Sequence, residues 1–307
     1  MSKVLITGGS GLIGSRLTAH LIELGHEVVH LSRTPQANGL IKTFVWDLEK
    51  EEIDPNAFSR IDTIFHLAGA GIVDEKWTDE RKQVIIDSRI KSADLLRKGC
   101  ETAGVKLKHY ISASAIGWYP LIIDDRIYDE TEPAGEGFLA EVCSKWETSA
   151  EQFNDIATHV AKLRIGLVMT KEKGALAQIA RPIRLFVGAG LGTGKQFVSW
   201  IHIQDLIGMF THAMEQNLDG VYNAVGPEAT NNNDFMQILA DVIERPILLP
   251  NIPEPIIRIL FGASSELVLR GVRLTPKKMI ETGFTFDYPT LTSALFNLYN
   301  PSISATN

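Results

Sequence analysis

Three features of the sequence predict an α/β fold with a doubly wound parallel sheet of the Rossmann-like type. Short β-branched and apolar runs recur without polar alternation, as expected of strands that are buried on both faces. Amphipathic helical stretches separate these runs, and strands alternating with helices are typical of a parallel sheet covered by helices. After about residue 170 the alternation weakens, and we expect a smaller, mostly helical C-terminal domain.

The predicted elements follow one another from the N-terminus. The first unit is a strand at 3–7, a glycine-rich turn and a helix that Gly25 closes. The further predicted strands are 26–33, 43–48, 63–70, 107–115 and 159–169, and the further helices are 79–104 and 139–153. The glycine-rich segment 187–196 is long for a simple connection, which indicates a functional loop.

Composition excludes several classes of function. The chain has 307 residues, and 30 Lys and Arg oppose 37 Asp and Glu for a formal net charge of −7. This acidic balance, without a basic run, argues against nucleic-acid binding. Cys100 and Cys143 provide neither a disulfide framework nor a metal spacing, so we expect no metal site and a reducing compartment. No apolar run reaches the roughly 18 residues of a membrane span, and we expect a cytoplasmic protein without membrane contact.

The turn after the first strand has the features of a phosphate-binding site. The stretch LITGGSGLIG, residues 5–14, places Gly8, Gly11 and Gly14 between a strand and a helix. Gly8 permits a tight turn, Gly11 lets the backbone approach a pyrophosphate, and Gly14 allows close packing of the helix. The helix N-terminus adds unpaired N–H groups and a partial positive charge. The alternative is a tight turn without a ligand.

The sequence also predicts how the chain divides into domains. Residues 1–170 are expected to form a dinucleotide-binding domain, and a later segment, residues of about 197–225, is expected to belong to the same domain. Residues 171–196 and 226–300 are expected to form the substrate side, and 301–307 a frayed tail.

Several motifs together resemble those of the extended short-chain dehydrogenase/reductase superfamily. The glycine spacing, HLAGA at 66–70, YISASAIGWY at 110–119 and FVSWIHIQDLIGMF at 197–210 are similar to its cofactor and sheet motifs. The stretches DSRIKSADLL, SASAIGWYP, FLAEVCSKWE and LRIGLV are closer to an atypical branch, epimerase-family proteins with unresolved substrates and a small C-terminal domain. In that superfamily, a segment such as His202–Asp205 supports the sheet beside the substrate.

The end of the second strand predicts the choice of dinucleotide. A free ribose 2′-hydroxyl is normally held here by Asp or Glu, but this chain has Ser32 and Arg33. A carboxylate would repel a 2′-phosphate, whereas a guanidinium and a hydroxyl would bind it. We therefore expect NADP(H) in preference to NAD(H). The alternative is that Arg33 is a solvated loop arginine.

The resemblance also implies the residues that contact the cofactor. It places Asp47 and Leu48 at the adenine and Ile165 near the nicotinamide. The residues that follow His66 at the end of the strand are placed along a ribose of the cofactor. The expected cofactor-binding residues are Gly8, Ser10, Gly11, Leu12, Ile13, Gly14, Ser32, Arg33, Asp47, Leu48, Leu67, Ala68, Gly69, Ala70, Ser112, Lys145 and Ile165.

The catalytic residues that the resemblance implies include one departure. Reductases of this superfamily use serine, tyrosine and lysine, and Ser114 and Lys145 match the serine and the lysine. Glu141 stands where the tyrosine is expected, and a carboxyl group near pKa 4.3 is a poor proton donor at neutral pH. Tyr119 is the nearest replacement along the chain. The alternatives are a turn serine, a loop aromatic, and an ordinary helix ion pair between Glu141 and Lys145.

Two functional hypotheses follow. The first is an NADP(H)-binding oxidoreductase or epimerase-like enzyme of the extended type that lacks the usual tyrosine and acts on an unknown small molecule. The second is a catalytically weak or inactive dinucleotide-binding sensor or regulatory protein. The sequence favours the first only slightly, because Ser114 and Lys145 are in place but the proton donor is not. The oligomeric state cannot be predicted.

Overall fold

The computed structural model describes residues 1–34 and 41–300. The predicted tail at 301–307 lies outside these ranges. The described strands are β1 Lys3–Thr7, β2 Glu27–Ser32, β3 Lys42–Asp47, β4 Glu52–Ile53, β5 Thr63–His66, β6 Leu107–Ala115, β7 Ile127–Tyr128, β8 Ala157–Ile165, β9 Leu167–Met169, β10 Phe197–Val198, β11 Trp200–His202, β12 Gly220–Ala224, β13 Thr230–Asn231 and β14 Arg273–Leu274. The described helices are α1 Leu12–Glu23, α2 Asp79–Thr102, α3 Phe138–Glu151, α4 Gly174–Arg184, α5 Ile203–Glu215, α6 Asn232–Val242, α7 Glu254–Phe261, α8 Glu266–Leu269, α9 Lys277–Glu281 and α10 Leu291–Tyr299.

The main sheet confirms the predicted doubly wound α/β fold. Within the described residues it has eight strands in the order β12-β8-β6-β5-β1-β2-β3-β4. The neighbours pair in parallel except at the edge, where the short β4 runs antiparallel to β3. The chain runs from β1 to β2 on one side and to β5 on the other, so the strand order reverses at β1. In such sheets the ligand crevice lies outside the carboxyl ends of the strands at this reversal.

Helices cover both faces of the sheet. On one face α1 packs beside α5, and their apolar side chains join Val4, Ile6 and Phe65 in one core. On the other face α2 packs beside α3 over Leu5, Ile64 and Tyr110. A third core joins α4, α6 and α10. The division of the chain at residues 170, 197 and 226 stays a prediction.

One predicted strand is two strands in the structure. The run 159–169 is interrupted at Gly166, between β8 in the main sheet and β9, which pairs with β11. A Cβ on Gly166 would lie 2.4 Å from the carbonyl oxygen of Ser199, and the Gly166 N–H donates to the carbonyl of Ala224. The close approach of a neighbouring backbone therefore redirects the chain here. Likewise, β5 ends at His66, four residues before the predicted end.

His202 and Asp205 have structural contacts in this fold. The His202 Nδ1 accepts the Gln204 N–H at the start of α5. The Asp205 carboxylate accepts the backbone N–H groups of Asp287 and Tyr288 at 2.8 and 3.2 Å. These bonds attach the C-terminal segment to α5. None of the helices in residues 1–34 and 41–300 is long and apolar enough to cross a membrane.

Candidate functional site

A cleft of about 530 Å³ opens along the carboxyl ends of the strands at the point where their order reverses. The turn after β1 forms one wall, the ends of β2 and β3 form another, and the loop after β5 with α2 forms the third. The lining residues are Gly8, Gly9, Ser10, His30, Leu31, Ser32, Arg33, Thr43, Val45, Trp46, Asp47, Leu48, Glu49, Ala68, Gly69, Ala70, Val84, Asp87, Ser88 and Lys91. Nine of the expected cofactor residues are thus brought together here, from Gly8 to Ala70.

The glycines of the turn are required by its geometry. Gly8 has a φ of +71°, and a Cβ there would lie 2.9 Å from the carbonyl oxygen of Leu67. A Cβ on Gly14 would lie 2.3 Å from the Gly8 carbonyl oxygen, so the first turn of α1 packs directly on the glycine turn. Gly11 is the N-cap of α1 and provides no side-chain cap, which leaves the N-terminal N–H groups near Leu12 and Ile13 available to an anion.

His30 is a cleft residue that the sequence did not reveal. Its ring lies beneath Gly9, where a Cβ would come within 2.5 Å of it. The Thr18 hydroxyl donates to the Gly14 carbonyl at 2.7 Å and lies 2.8 Å from the His30 Nε2, which therefore carries the proton. Burial lowers the pKa of His30, so the ring is neutral near pH 7. A lone histidine inside an apolar strand has no distinctive sequence signal.

The end of β2, where it lines the cleft, carries no carboxylate side chain within the described residues. Ser32 is half-buried and accepts the Thr34 N–H, while Arg33 is exposed at the cleft edge. Asp47 lies nearby, but its carboxylate accepts the backbone N–H groups of Glu49 and Lys50 at 3.0 and 3.1 Å. These bonds hold the pKa of Asp47 below its usual range. Ser32 and Arg33 are thus the polar side chains that the end of β2 presents to the cleft.

A buried hydrogen-bond chain fixes the wall after β5. The Thr7 hydroxyl oxygen accepts the N–H groups of Leu67 and Ala68 and lies 2.9 Å from the His66 Nδ1. The His66 Nε2 lies 3.2 Å from the Ser92 hydroxyl, which donates to the carbonyl of Arg89. The wall that carries Leu67 to Ala70 is therefore attached both to β1 and to α2.

Ser114 belongs to a buried polar network. Its hydroxyl donates to the Glu147 carboxylate at 2.7 Å, and the same carboxylate accepts two bonds from the Arg164 guanidinium at 2.8 and 3.0 Å. All three residues are at most 4% exposed. Ser114 is therefore placed at the end of β6 as expected, but its proton is engaged by Glu147. The sequence did not indicate Glu147, which is buried on α3, whereas Glu141 on the same helix is half exposed.

Tyr119 extends this network rather than facing the cleft. Its hydroxyl donates to the Asn223 side-chain oxygen at 2.7 Å and accepts from Arg164 at 3.0 Å. The side chain is 1% exposed, and burial raises the pKa of Tyr119 to about 12. A phenol in this environment is a weak proton donor near neutrality.

Lys145 and Glu141 lie on the outer face of α3. The Lys145 Nζ is 2.7 Å from the Glu141 Oε1, and each side chain is about half exposed, at 48% and 51%. The buried residues of α3 lie on its other side. Within the described residues, neither Lys145 nor Glu141 forms a hydrogen bond with Ser114. Ser112 is buried in β6, and its hydroxyl donates to the Ala113 carbonyl. Ile165 is half-buried at the end of β8.

Comparisons with known proteins identify the family of the chain. Residues 4–225 match the NAD dependent epimerase/dehydratase family, and residues 252–298 match a domain of unknown function, DUF1731. Epimerase family protein Mb2239 of Mycobacterium bovis is 35% identical over 296 residues, 95% of this chain and 96% of that protein. Epimerase family protein YfhF of Bacillus subtilis is 33% identical over 301 residues, 96% of this chain and 97% of that protein.

A solved structure matches the whole fold. The crystal structure of human epimerase family protein SDR39U1 (isoform 2) with NADPH gives a TM-score of 0.88 at 30% identity, over 97% of this chain and 99% of that one. The match confirms the extended short-chain dehydrogenase/reductase fold and the resemblance to the epimerase-family branch. With its glycine turn, its cleft and these relatives, the chain belongs to the NAD-dependent epimerase/dehydratase family.

Proposed function

We propose that the protein binds NADP(H) in the cleft and is an oxidoreductase or epimerase-like enzyme whose proton transfer does not use a tyrosine. The observation that carries the proposal is the pair Ser32 and Arg33 at the end of β2, where no carboxylate is present to bind a free 2′-hydroxyl. The human relative whose structure contains NADPH supports the same choice.

Each wall of the cleft has a role in holding the cofactor. The N–H groups at the start of α1 bind the diphosphate, and Ser32 with Arg33 binds the 2′-phosphate. Leu48 packs against the adenine, while Leu67 to Ala70 contact a ribose through a wall that Thr7 and His66 hold rigid. When bound, the cofactor supplies or accepts a hydride. We also propose that the protein is cytoplasmic.

The catalytic end differs from that of the superfamily's reductases. Because Ser114 donates its proton to Glu147, its free lone pairs can accept a hydrogen bond from a substrate hydroxyl. Lys145 can reach a ribose only if its ion pair with Glu141 opens, which its half-exposed position permits. Glu141, released in this way, would be a base rather than an acid.

A second function is favoured by the same network. Ser114 is held by Glu147, and Tyr119 is buried with a raised pKa, so the described residues present no proton donor beside Ser114. A cofactor-binding sensor or regulatory protein with little turnover would need only the cleft. The two functions share the cofactor and differ in chemistry.

Titration of the protein with NADPH and NADH tests the shared part of the proposal. We expect NADPH to bind about tenfold or more tightly than NADH, because only NADPH carries the phosphate that Arg33 can pair with. Arg33→Ala should remove this difference, whereas Arg16→Ala, an exposed arginine on α1, should retain it. Equal affinity of the unaltered protein for the two cofactors would contradict the proposal.

Single-turnover assays separate the enzyme from the sensor. NADPH-loaded protein is mixed with a broad panel of small carbonyl compounds, and the nicotinamide absorbance is followed. Oxidation by any compound supports the enzyme, and Lys145→Ala should then weaken NADPH binding. If the protein binds NADPH tightly but no compound in the panel oxidises the bound NADPH, the enzyme hypothesis is contradicted and the sensor or regulatory function is supported.

A further inference from the structure

Two arginines are buried within residues 1–34 and 41–300, and only one of them is paired with a carboxylate. Arg164 is 2% exposed and is paired with Glu147. Arg89, on α2, is 8% exposed, and within residues 1–34 and 41–300 it forms no ion pair with an Asp or Glu side chain. A guanidinium that is removed from water without a counter-charge is unfavourable. Arg89 therefore has an unmet requirement for an anion that Arg164 does not have.

The guanidinium of Arg89 is held in place but is only partly hydrogen-bonded. Its Nη1 donates to the carbonyls of Ile85 and Ala70 at 2.8 and 3.2 Å, and its Cζ lies 4.6 Å from the centroid of the Trp146 ring. Its Nε is buried without an acceptor, and its Nη2 donates to no residue in the described part of the chain. Burial lowers the pKa of Arg89 to about 10, so the group stays charged near neutral pH.

Arg89 packs against the loop after β5, which forms one wall of the cleft. A Cβ on Gly69 would lie 3.0 Å from the Arg89 Cζ, and both Gly69 and Ala70 line the cleft. Trp146, whose ring the guanidinium contacts, belongs to α3, and Cys143 of the same helix donates to the carbonyl of Ala115 at the end of β6. Arg89 is thus on the β5–β6 side of the cleft, away from Ser32 and Arg33 at the end of β2.

This position indicates which part of a dinucleotide would meet Arg89. A cofactor whose 2′-phosphate lies at β2 crosses the strand-order reversal at β1, and its other half extends toward β5 and β6. We infer that Arg89 binds the phosphate of the nicotinamide mononucleotide half of the cofactor, an inference that rests on the proposed function. Guanidinium donors bind phosphate oxygens through charge-assisted bonds, and Nε and Nη2 are the donors not used within the described residues.

Adenosine 2′,5′-bisphosphate separates the two halves of the site, because it contains the 2′-phosphorylated adenosine half and lacks the nicotinamide half. For Arg89→Met, the NADPH dissociation constant should rise about tenfold or more, while that of the bisphosphate should change less than about twofold. Arg33→Ala is the matched control and should weaken both ligands. The loss in Arg89→Met should shrink at high salt, since salt weakens the phosphate contact of the unaltered protein.

The result that overturns the inference is equal weakening of both ligands by Arg89→Met, or no weakening of NADPH. If thermal unfolding shows that Arg89→Met does not fold, Arg89→Lys keeps the charge and removes the planar fork. It should weaken NADPH several-fold and leave the bisphosphate unaffected, and an unchanged NADPH affinity would contradict the inference. If the unaltered protein binds neither ligand, the proposed function itself fails.

Discussion

Glu147 and Glu141 lie on the same helix, six residues apart, in opposite environments. Glu147 is buried and shared by Ser114 and Arg164, whereas Glu141 forms an exposed pair with Lys145. Removing one partner of a buried pair leaves an uncompensated charge, while an exposed i, i+4 pair contributes little.

We therefore expect Glu147→Ala to lower the free energy of unfolding by about 3–5 kcal/mol and Glu141→Ala to lower it by less than about 1 kcal/mol. Urea denaturation followed by tryptophan fluorescence measures both values. Similar effects for the two variants would contradict a stabilising role of the Ser114–Glu147–Arg164 network.

Sequence spacing was informative for single positions but not for their partners. It correctly placed Ser114 at a strand end and Lys145 on the following helix. It could not show that Glu147 points inward, because the burial of this helical carboxylate depends on Arg164, which lies 17 residues further along the chain on β8. The roles of Ser114, Glu141, Lys145 and Tyr119 in chemistry stay predictions.

At the scale of elements, the contact between α1 and the glycine turn sets the shape of the phosphate site. A Cβ on Gly14 would come within 2.3 Å of the Gly8 carbonyl oxygen, which is backbone and cannot rotate away. Gly14→Ala should destabilise the protein by about 1–3 kcal/mol and weaken NADPH binding, because α1 must move from the turn. Ser15→Ala, at the neighbouring exposed position, is the control and should leave both unchanged.

Calorimetric titration with NADPH and thermal unfolding of the two variants check this expectation. NADPH affinity in Gly14→Ala equal to that of the unaltered protein would mean that the start of α1 does not hold the diphosphate. The turn itself was predictable from glycine spacing. The break of the strand at Gly166 was not, because it depends on the distant Ser199 backbone.

At the scale of the whole molecule, buried histidines make stability depend on pH. His66 is fully buried between β1, β5 and α2, and burial lowers its pKa to about 4. The unfolded chain takes up a proton near pH 6.5, whereas the folded chain does so only near 4. The stabilisation from neutral His66 is therefore complete above pH 6.5 and is lost as the pH falls toward 4.

His66→Gln should show a smaller fall in unfolding free energy between pH 7 and pH 4 than the unaltered protein, by about 3 kcal/mol. Urea unfolding at several pH values in this window measures the difference. His202, whose pKa burial also lowers to about 4, stays in both proteins and cancels in the comparison. Parallel pH profiles would show that His66 is not buried as a neutral group.

The whole fold was predictable because each strand and helix carries its own periodic pattern, and a parallel sheet follows from their alternation. The relation of the C-terminal segments to the sheet was not, because it depends on single long-range contacts. Asp205 binding the backbone of Asp287 and Tyr288 is one example. The family model and the similar proteins identify the family of the chain. The reaction depends on a proton donor, and Glu141 stands where the superfamily's reductases have tyrosine.

A crystal structure of the protein with NADPH would show directly where the cofactor binds. We expect the 2′-phosphate within hydrogen-bond distance of Ser32 and Arg33, and the diphosphate at the start of α1. We also expect the nicotinamide half on the side of Gly69, Ala70 and Arg89. A 2′-phosphate that contacts neither Ser32 nor Arg33, or a cofactor bound outside this cleft, would contradict the proposed cofactor site.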